Sequence, residues 1–235
     1  MQPVPVVYGM TIGEYALMIA GESWLNNSAN MMYRRVKDLK DTAYHFIVIK
    51  CNNYTHKSFY DPPIKPSPNL PNIQSILLYP SLCFFEGTDI SVGRGTGKPF
   101  QCYGHPSFPN TLYSFTPVSL PGAKNPPHKN IKCYGYDLSM PKTDIRLKEN
   151  KEINLNYLLN TYKSFKGKDS FFLRPTHSNP GSSDYFFNKL AGNNILMWQI
   201  MNGKTEAEIR KSWEPGIKFF KKIRKKYLLY PPFED

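Results

Sequence analysis

Five prolines fall between Asp61 and Asn72, in the stretch DPPIKPSPNLPN. Each proline fixes its own φ, removes a backbone donor and biases the residue before it towards extended backbone. Neither a helix nor a central strand can run through such a segment. It reads as a stiff connector, and the patterning differs on its two sides. Before it, YGMTIGEYALMIAGESWL signals a helix: Thr11 and Glu14 have capping-box spacing, and Ile12, Tyr15, Ala16 and Ile19 form an apolar stripe. TAYHFIVIKC, Thr42 to Cys51, is a nearly continuous apolar run and predicts a buried strand of the parallel-sheet kind.

After the prolines, IQSILLYPSLCFFEG predicts a helix capped by Asn72 and interrupted near Pro80. LYSFTPVS and KNIKCYGYDLS predict strands, NLNYLLNTYKSF a helix and SFFLRP a short strand, and the remainder is mostly helical. The expected architecture is a partial α/β unit over 1–72 followed by an α+β unit over 73–235. An incomplete sheet leaves an apolar edge, so the isolated chain is expected to be marginally stable and to self-associate.

At 235 residues and 40% hydrophobic content, the chain can bury one substantial core or two small ones. The net charge of +12 suits an acidic partner. Half of that excess lies between Lys204 and Lys226, where nine Lys/Arg face three Glu on a helical pattern with Phe219, Phe220, Ile223 and Tyr227. That arrangement suits a packed helix with a solvated basic face, and no nucleic-acid-reading signature accompanies it. Cys51, Cys83, Cys102 and Cys133 are far apart and lie in apolar or aromatic runs, so buried free thiols are expected. MQPVPVVYGM has neither a basic n-region nor an apolar h-region, and no apolar run has membrane-spanning length.

The densest polar stretch is EGTDISVGRGTGKPFQCYGHP, Glu86 to Pro106. A P-loop would need glycine at Val92 and Ser or Thr at Pro99, and a dinucleotide fingerprint would need glycine at Lys98. Nucleotide cofactors are thereby excluded. No Gly-x-Ser-x-Gly elbow occurs. His45, His56, His105, His128 and His177 are scattered without a second ligand at helical spacing, so no metal is expected. The loop does collect Glu86, Asp89, Ser91, Arg94, Thr96 and His105. Arg94 offers a fork of donors for a carboxylate or sugar hydroxyls, and Glu86 can orient it or act in proton transfer. A Glu86–Arg94 pair that only pins the loop is the alternative.

PVPVVYGMTIGEYALM, IKPSPNLPN, YPSLCFFEGTDISVGRGTGKPFQCYGHP and the tail FFNKLAGNNIL…EIRKSW…FKKIRKKYLLYP together resemble the exo-β-N-acetylmuramidase (NamZ-like) family, in order from about Val4 to Tyr230. The resemblance implies a glycoside hydrolase that removes terminal N-acetylmuramic acid from peptidoglycan fragments. It also implies a Rossmann-like domain, of which 1–72 is the C-terminal remnant, followed by a smaller α+β domain. Family members carry a Ser-Pro-Glu-His-Gly motif upstream, whose glutamate is the catalytic acid. The motif does not occur here, so the chain is expected to be truncated.

On that reading Arg94 faces the lactyl carboxylate. Glu86 or Asp89 is the candidate second carboxylate, and Glu86, Thr88, Ser91, Arg94, Thr96, His105, Asn69 and Glu14 are the substrate-side candidates. Thr11 and Ser67 match family positions too. For Thr11, Glu14, Ser67 and Asn69, helix capping and turn-making remain open alternatives. Peptidoglycan as substrate implies a periplasmic or extracellular location. A chain lacking the catalytic acid could instead be a non-catalytic sugar-binding module.

Overall fold

Thr11 caps α1 (Ile12–Gly21) as its spacing predicts. Its hydroxyl accepts from the Glu14 N–H while the Glu14 carboxylate accepts from the Thr11 N–H. The buried side of this helix carries Glu14, Met18 and Ala20, whereas Ile12, expected on the apolar stripe, is 82% exposed. The computed structural model describes residues 4–24, 47–139, 152–176 and 184–232. Two compact units emerge: Met1–Tyr60 with Ser212–Asp235, and Asp61–Lys211.

In the first unit Met18 packs with Phe220 and Ile223, and Val4, Tyr8, Met10, Tyr15, Trp24 and Tyr227 close around them. The tail residues Phe220 and Ile223 therefore form core as their spacing suggests, while Phe219 stays exposed. The strand expected over Thr42–Cys51 is not found in its described part. Residues 47–50 form no strand, and Ile47 and Ile49 stand out into solvent. Apolar composition does not make a strand without partners to pair with. The rest of that stretch, including His45, lies outside the described residues, as does His177.

The second unit opens with α2 (Ile73–Leu82). Asn72 caps it, accepting from the Ser75 N–H at 3.0 Å. Pro80 does not interrupt the helix, which continues to Leu82 and tightens into a 3₁₀ turn at Cys83–Gly87. The sheet has three antiparallel strands, β1 (Cys102–His105), β2 (Tyr113–Phe115) and β3 (Cys133–Asp137), in the order β1-β3-β2. Cys102, Phe115 and Cys133 pack together on one face.

Helices α3 (Asn156–Ser164), α4 (Lys168–Phe171), α5 (Phe186–Ala191) and α6 (Ile195–Met201) follow, then α7 (Glu206–Arg224). Of the expected SFFLRP strand, Ser170 and Phe171 end α4, and Phe172 makes an isolated strand-like bridge to Thr88. Phe171 and Phe172 are both buried in a chain of edge-to-face aromatics with Phe165 and Phe187, which favours the compact turn over an extended ladder. The architecture is thus mixed α/β with a small antiparallel sheet. Among the described residues no helix is long and apolar enough to cross a membrane.

Burial raises the thiols of Cys83, Cys102 and Cys133 to about 12, so they are inert protonated core groups. Cys51 departs from the expectation and is exposed.

Candidate functional site

The glycine-rich loop is held from both ends. After the 3₁₀ turn, the Leu173 N–H donates to the Gly87 carbonyl at 3.0 Å and the Asp89 N–H to the Phe171 carbonyl at 2.9 Å. Further on, Ser91 and Gly104 exchange two 2.9 Å backbone bonds, which fastens the loop to β1. Gly93 and Gly95 have φ of +72° and +82°. A Cβ on Gly93 would meet Cys102 Sγ at 2.5 Å and one on Gly95 the Val118 carbonyl at 2.4 Å. These glycines let the loop approach its own fold.

Several of the loop's polar groups are used internally. Thr88, 2% exposed, donates to the Phe85 carbonyl at 2.8 Å. Ser91 is fully buried and its hydroxyl accepts from the Gly93 N–H. Thr96 donates to the Gly93 carbonyl at 2.7 Å and accepts from the Lys98 N–H, closing a turn. Lys98 reaches across to Asp137 at 2.5 Å and Ser139 at 2.8 Å, which ties the loop to the end of β3.

The Asn69 amide donates to the Gly122 carbonyl at 2.7 Å, and its N–H donates to the Ser67 hydroxyl, so this pair shapes a turn. Glu14 belongs to the first unit, where its fully buried carboxylate accepts from Thr11, His56, Leu229 and Tyr230.

Two groups remain with functional geometry. Arg94 donates from Nη1 to Glu86 Oε1 at 2.8 Å, with side chains 34% and 20% exposed. Glu86 thereby uses one of five guanidinium donors, and the buried Nε finds no partner among the described residues. The second group is Asp89, His105 and His128. His105 Nε2 stands 3.2 Å from Asp89 Oδ2, and His128 Nε2 stands 3.4 Å from Asp89 Oδ1 and 2.9 Å from the Asp89 carbonyl oxygen. The three side chains bring one ligand atom each to within 4.8 Å of the others. Their spacing in the chain gives no hint of this grouping, which the fold brings together.

Burial holds His105 below the ordinary histidine value, and the neighbouring His128 adds to the effect against the pull of Asp89. His128 itself has φ of +56°, an uncommon backbone for a non-glycine residue. Asp89 also lines an open cleft of about 420 Å³, together with Asp169, Ser170, Phe172, Leu173 and Arg174. Sequence reading missed His128, Asp169 and Arg174. The pairing of 87–89 with 171–173 brings Asp169 and Arg174 near Asp89, and His128 reaches it from the loop that precedes β3.

Comparison with known proteins gives a consistent result. Residues 1–74 match the family model for the N-terminal part of the exo-beta-N-acetylmuramidase NamZ, and residues 77–230 match the model for its C-terminal part. The peptidoglycan beta-N-acetylmuramidase NamZ of Bacillus subtilis (strain 168) is 32% identical over 245 residues, covering 98% of this chain and 52% of that protein. The chain thus spans about half the length of the curated relative it matches. A crystal structure of a DUF1343 family protein from Bacteroides fragilis NCTC 9343 superposes with a TM-score of 0.79 at 43% identity, covering 98% of this chain and 58% of that one. A second DUF1343 family protein from the same organism gives a TM-score of 0.61 at 17% identity over 97% of this chain and 58% of the other, a likeness of fold alone.

Proposed function

The chain belongs to the NamZ family of exo-β-N-acetylmuramidases, and from that membership we propose that it supplies substrate contacts for hydrolysis of terminal N-acetylmuramic acid in peptidoglycan fragments. Similarity over 98% of its length to a peptidoglycan β-N-acetylmuramidase carries the reading. On the same basis residues 1–72 belong to a Rossmann-like domain and 73–235 to the second domain, although 212–235 pack in one compact unit with residues 1–60. A periplasmic or extracellular location follows from the substrate.

Within this proposal Arg94 binds the lactyl carboxylate, the group that distinguishes muramic acid from glucosamine. A third of its side chain is open to solvent, and Glu86 fixes one edge of the guanidinium, leaving other donors for a second carboxylate. Asp89, which lines the cleft, is the better placed candidate for the second carboxylate of a glycosidase pair.

Binding and hydrolysis of a muramic-acid-terminated disaccharide by the 235-residue chain test the reading. Measurable affinity for the muramic end, with or without turnover, is the expected result, and turnover separates an enzyme from a binding module. A folded chain with no affinity for any muramic-acid end would overturn it. For Arg94→Ala we expect a loss of about 1.5–3 kcal/mol on muramic-acid ligands, roughly ten- to hundredfold. Arg94→Lys should recover only part, since an ammonium has no bidentate fork. A glucosamine-ended ligand should barely respond. Equal losses on both ligands, with a lower Tm, would mean that Arg94 only pins Glu86.

A further inference from the structure

We propose that Asp89, His105 and His128 form a binding site for one divalent transition-metal ion of the zinc type. With metal–ligand bonds of about 2.0–2.1 Å, the edge of a tetrahedral zinc site is about 3.3 Å. The two measured carboxylate–imidazole separations are 3.2 Å and 3.4 Å, one to each oxygen of Asp89. A charge-assisted hydrogen bond draws its partners closer, to about 2.7–2.9 Å. Two of the three edges of the trio therefore match ligand spacing, with the carboxylate facing both rings at once, and one ligand atom from each residue lies within 4.8 Å of the others.

The donor set selects the ion. Two imidazoles and one carboxylate suit zinc and its transition-metal neighbours, whereas calcium and magnesium require oxygen ligands. His105 also has an outer partner of the kind such a ligand uses. His105 Nδ1 lies 2.7 Å from the Ser107 hydroxyl, an acceptor that would hold the proton on Nδ1 and leave Nε2 for the ion. The Ser107 N–H, at 3.0 Å from the same nitrogen, favours the opposite tautomer when no ion is bound.

Packing orients the rings. His105 sits edge-on to Phe165 at 5.0 Å and to His128 at 4.7 Å. His128 Nε2 donates to the Asp89 carbonyl at 2.9 Å without an ion. On binding that proton moves to Nδ1, which leaves Nε2 for the ion in place of the carbonyl contact. Both histidines are only 13–14% exposed and Asp89 36%, so the open side of the site is the Asp89 side, which lines the cleft.

The experiment is zinc titration of the chelator-stripped 235-residue chain by calorimetry, in a Cys51→Ser background because Cys51 is the exposed thiol. Cobalt(II) absorption on the same sample reports coordination. We expect saturable uptake of one ion with a nitrogen- and oxygen-type cobalt spectrum, lost in Asp89→Asn and in His128→Ala. Ser107→Ala should fold normally and weaken affinity by about 10- to 100-fold, as loss of an outer-shell partner does. A folded parent chain that takes up no zinc would overturn the proposal and leave a hydrogen-bonded Asp–His clamp. Uptake that survives unchanged in a folded Asp89→Asn, His128→Ala double variant would overturn it equally. Should that double variant not fold, unchanged affinity in Ser107→Ala together with a thiolate-type cobalt spectrum would do the same.

Discussion

Glu14→Ala should lower the stability of the first unit by about 3–5 kcal/mol, the range for removing one partner of a buried charge network. Five donors converge on this fully buried carboxylate: the Thr11 N–H at 2.7 Å, the Thr11 hydroxyl at 3.0 Å, His56 Nε2 at 2.8 Å, the Leu229 N–H at 2.6 Å and the Tyr230 N–H at 3.3 Å. His56 sets its other nitrogen on the Pro231 carbonyl at 2.8 Å, so the ring bridges Glu14 and the C-terminal segment. Truncation at position 14 therefore takes the acceptor from the His56 ring, the Thr11 hydroxyl and three backbone N–H groups together. Amide exchange supplies the specific readout. Protection at Leu229 and Tyr230 should collapse in Glu14→Ala while that of β3 in the second unit is unchanged. A variant that melts like the parent and keeps those amides protected would show that the network contributes little.

The same carboxylate gives a pH dependence with a defined sign. Burial raises its pKa, but the Thr11 N–H, His56, the Leu229 N–H and the Thr11 hydroxyl outweigh burial and hold it below its ordinary value of 4.5. A group depressed on folding contributes stability that is present above its unfolded value and disappears as pH falls through the folded one. Stability of the first unit should therefore be insensitive to Glu14 titration above about pH 5 and fall below pH 4.5. Glu14→Gln should remove that part of the acid slope. Urea unfolding followed through Trp24, which packs on the core of this unit, measures it. Parallel acid slopes for parent and variant would contradict the assignment.

Glu14 also shows where sequence reading reaches and where it stops. Its spacing to Thr11 announced the helix start, because a capping box is local. Nothing local announces Leu229, Tyr230 or His56, which arrive from 215, 216 and 42 residues away. The loop from Glu86 behaves alike. Its glycines marked a tight course, and the Glu86–Arg94 pair lies within reach of a sequence argument at eight residues' separation. Asp89, His105 and His128 did not, since strand register sets their meeting and a lone histidine carries no register signal. The apolar run ending at Cys51 failed for the opposite reason. Composition announced burial, but at Ile47 and Ile49 there is no neighbouring strand among the described residues to provide it.

Gly135→Ala should cost about 3 kcal/mol, the upper part of the range for forcing atoms into a packed site, although Gly135 lies outside the glycine-rich loop. It sits in β3, the central strand, directly opposite Gly104 of β1. A Cβ there would fall 1.9 Å from the Tyr103 carbonyl oxygen and 2.6 Å from the Gly104 Cα. Both are backbone atoms, so no side chain can swing aside, and the strands must part. That movement would shift His105, paired with Tyr134 in the same ladder, and with it the approach of His105 to Asp89. Loss of stability should therefore come with a changed His105 environment, visible as a shifted imidazole resonance. Gly97→Ala is the contrasting substitution. Gly97 belongs to the conspicuous loop, yet a Cβ there meets nothing within 4 Å, and its φ is not in the left-handed region. It should stay within about 0.5 kcal/mol of the parent. The reverse order of effects would mean that close strand contact at Gly135 is not what holds β1 and β3 together.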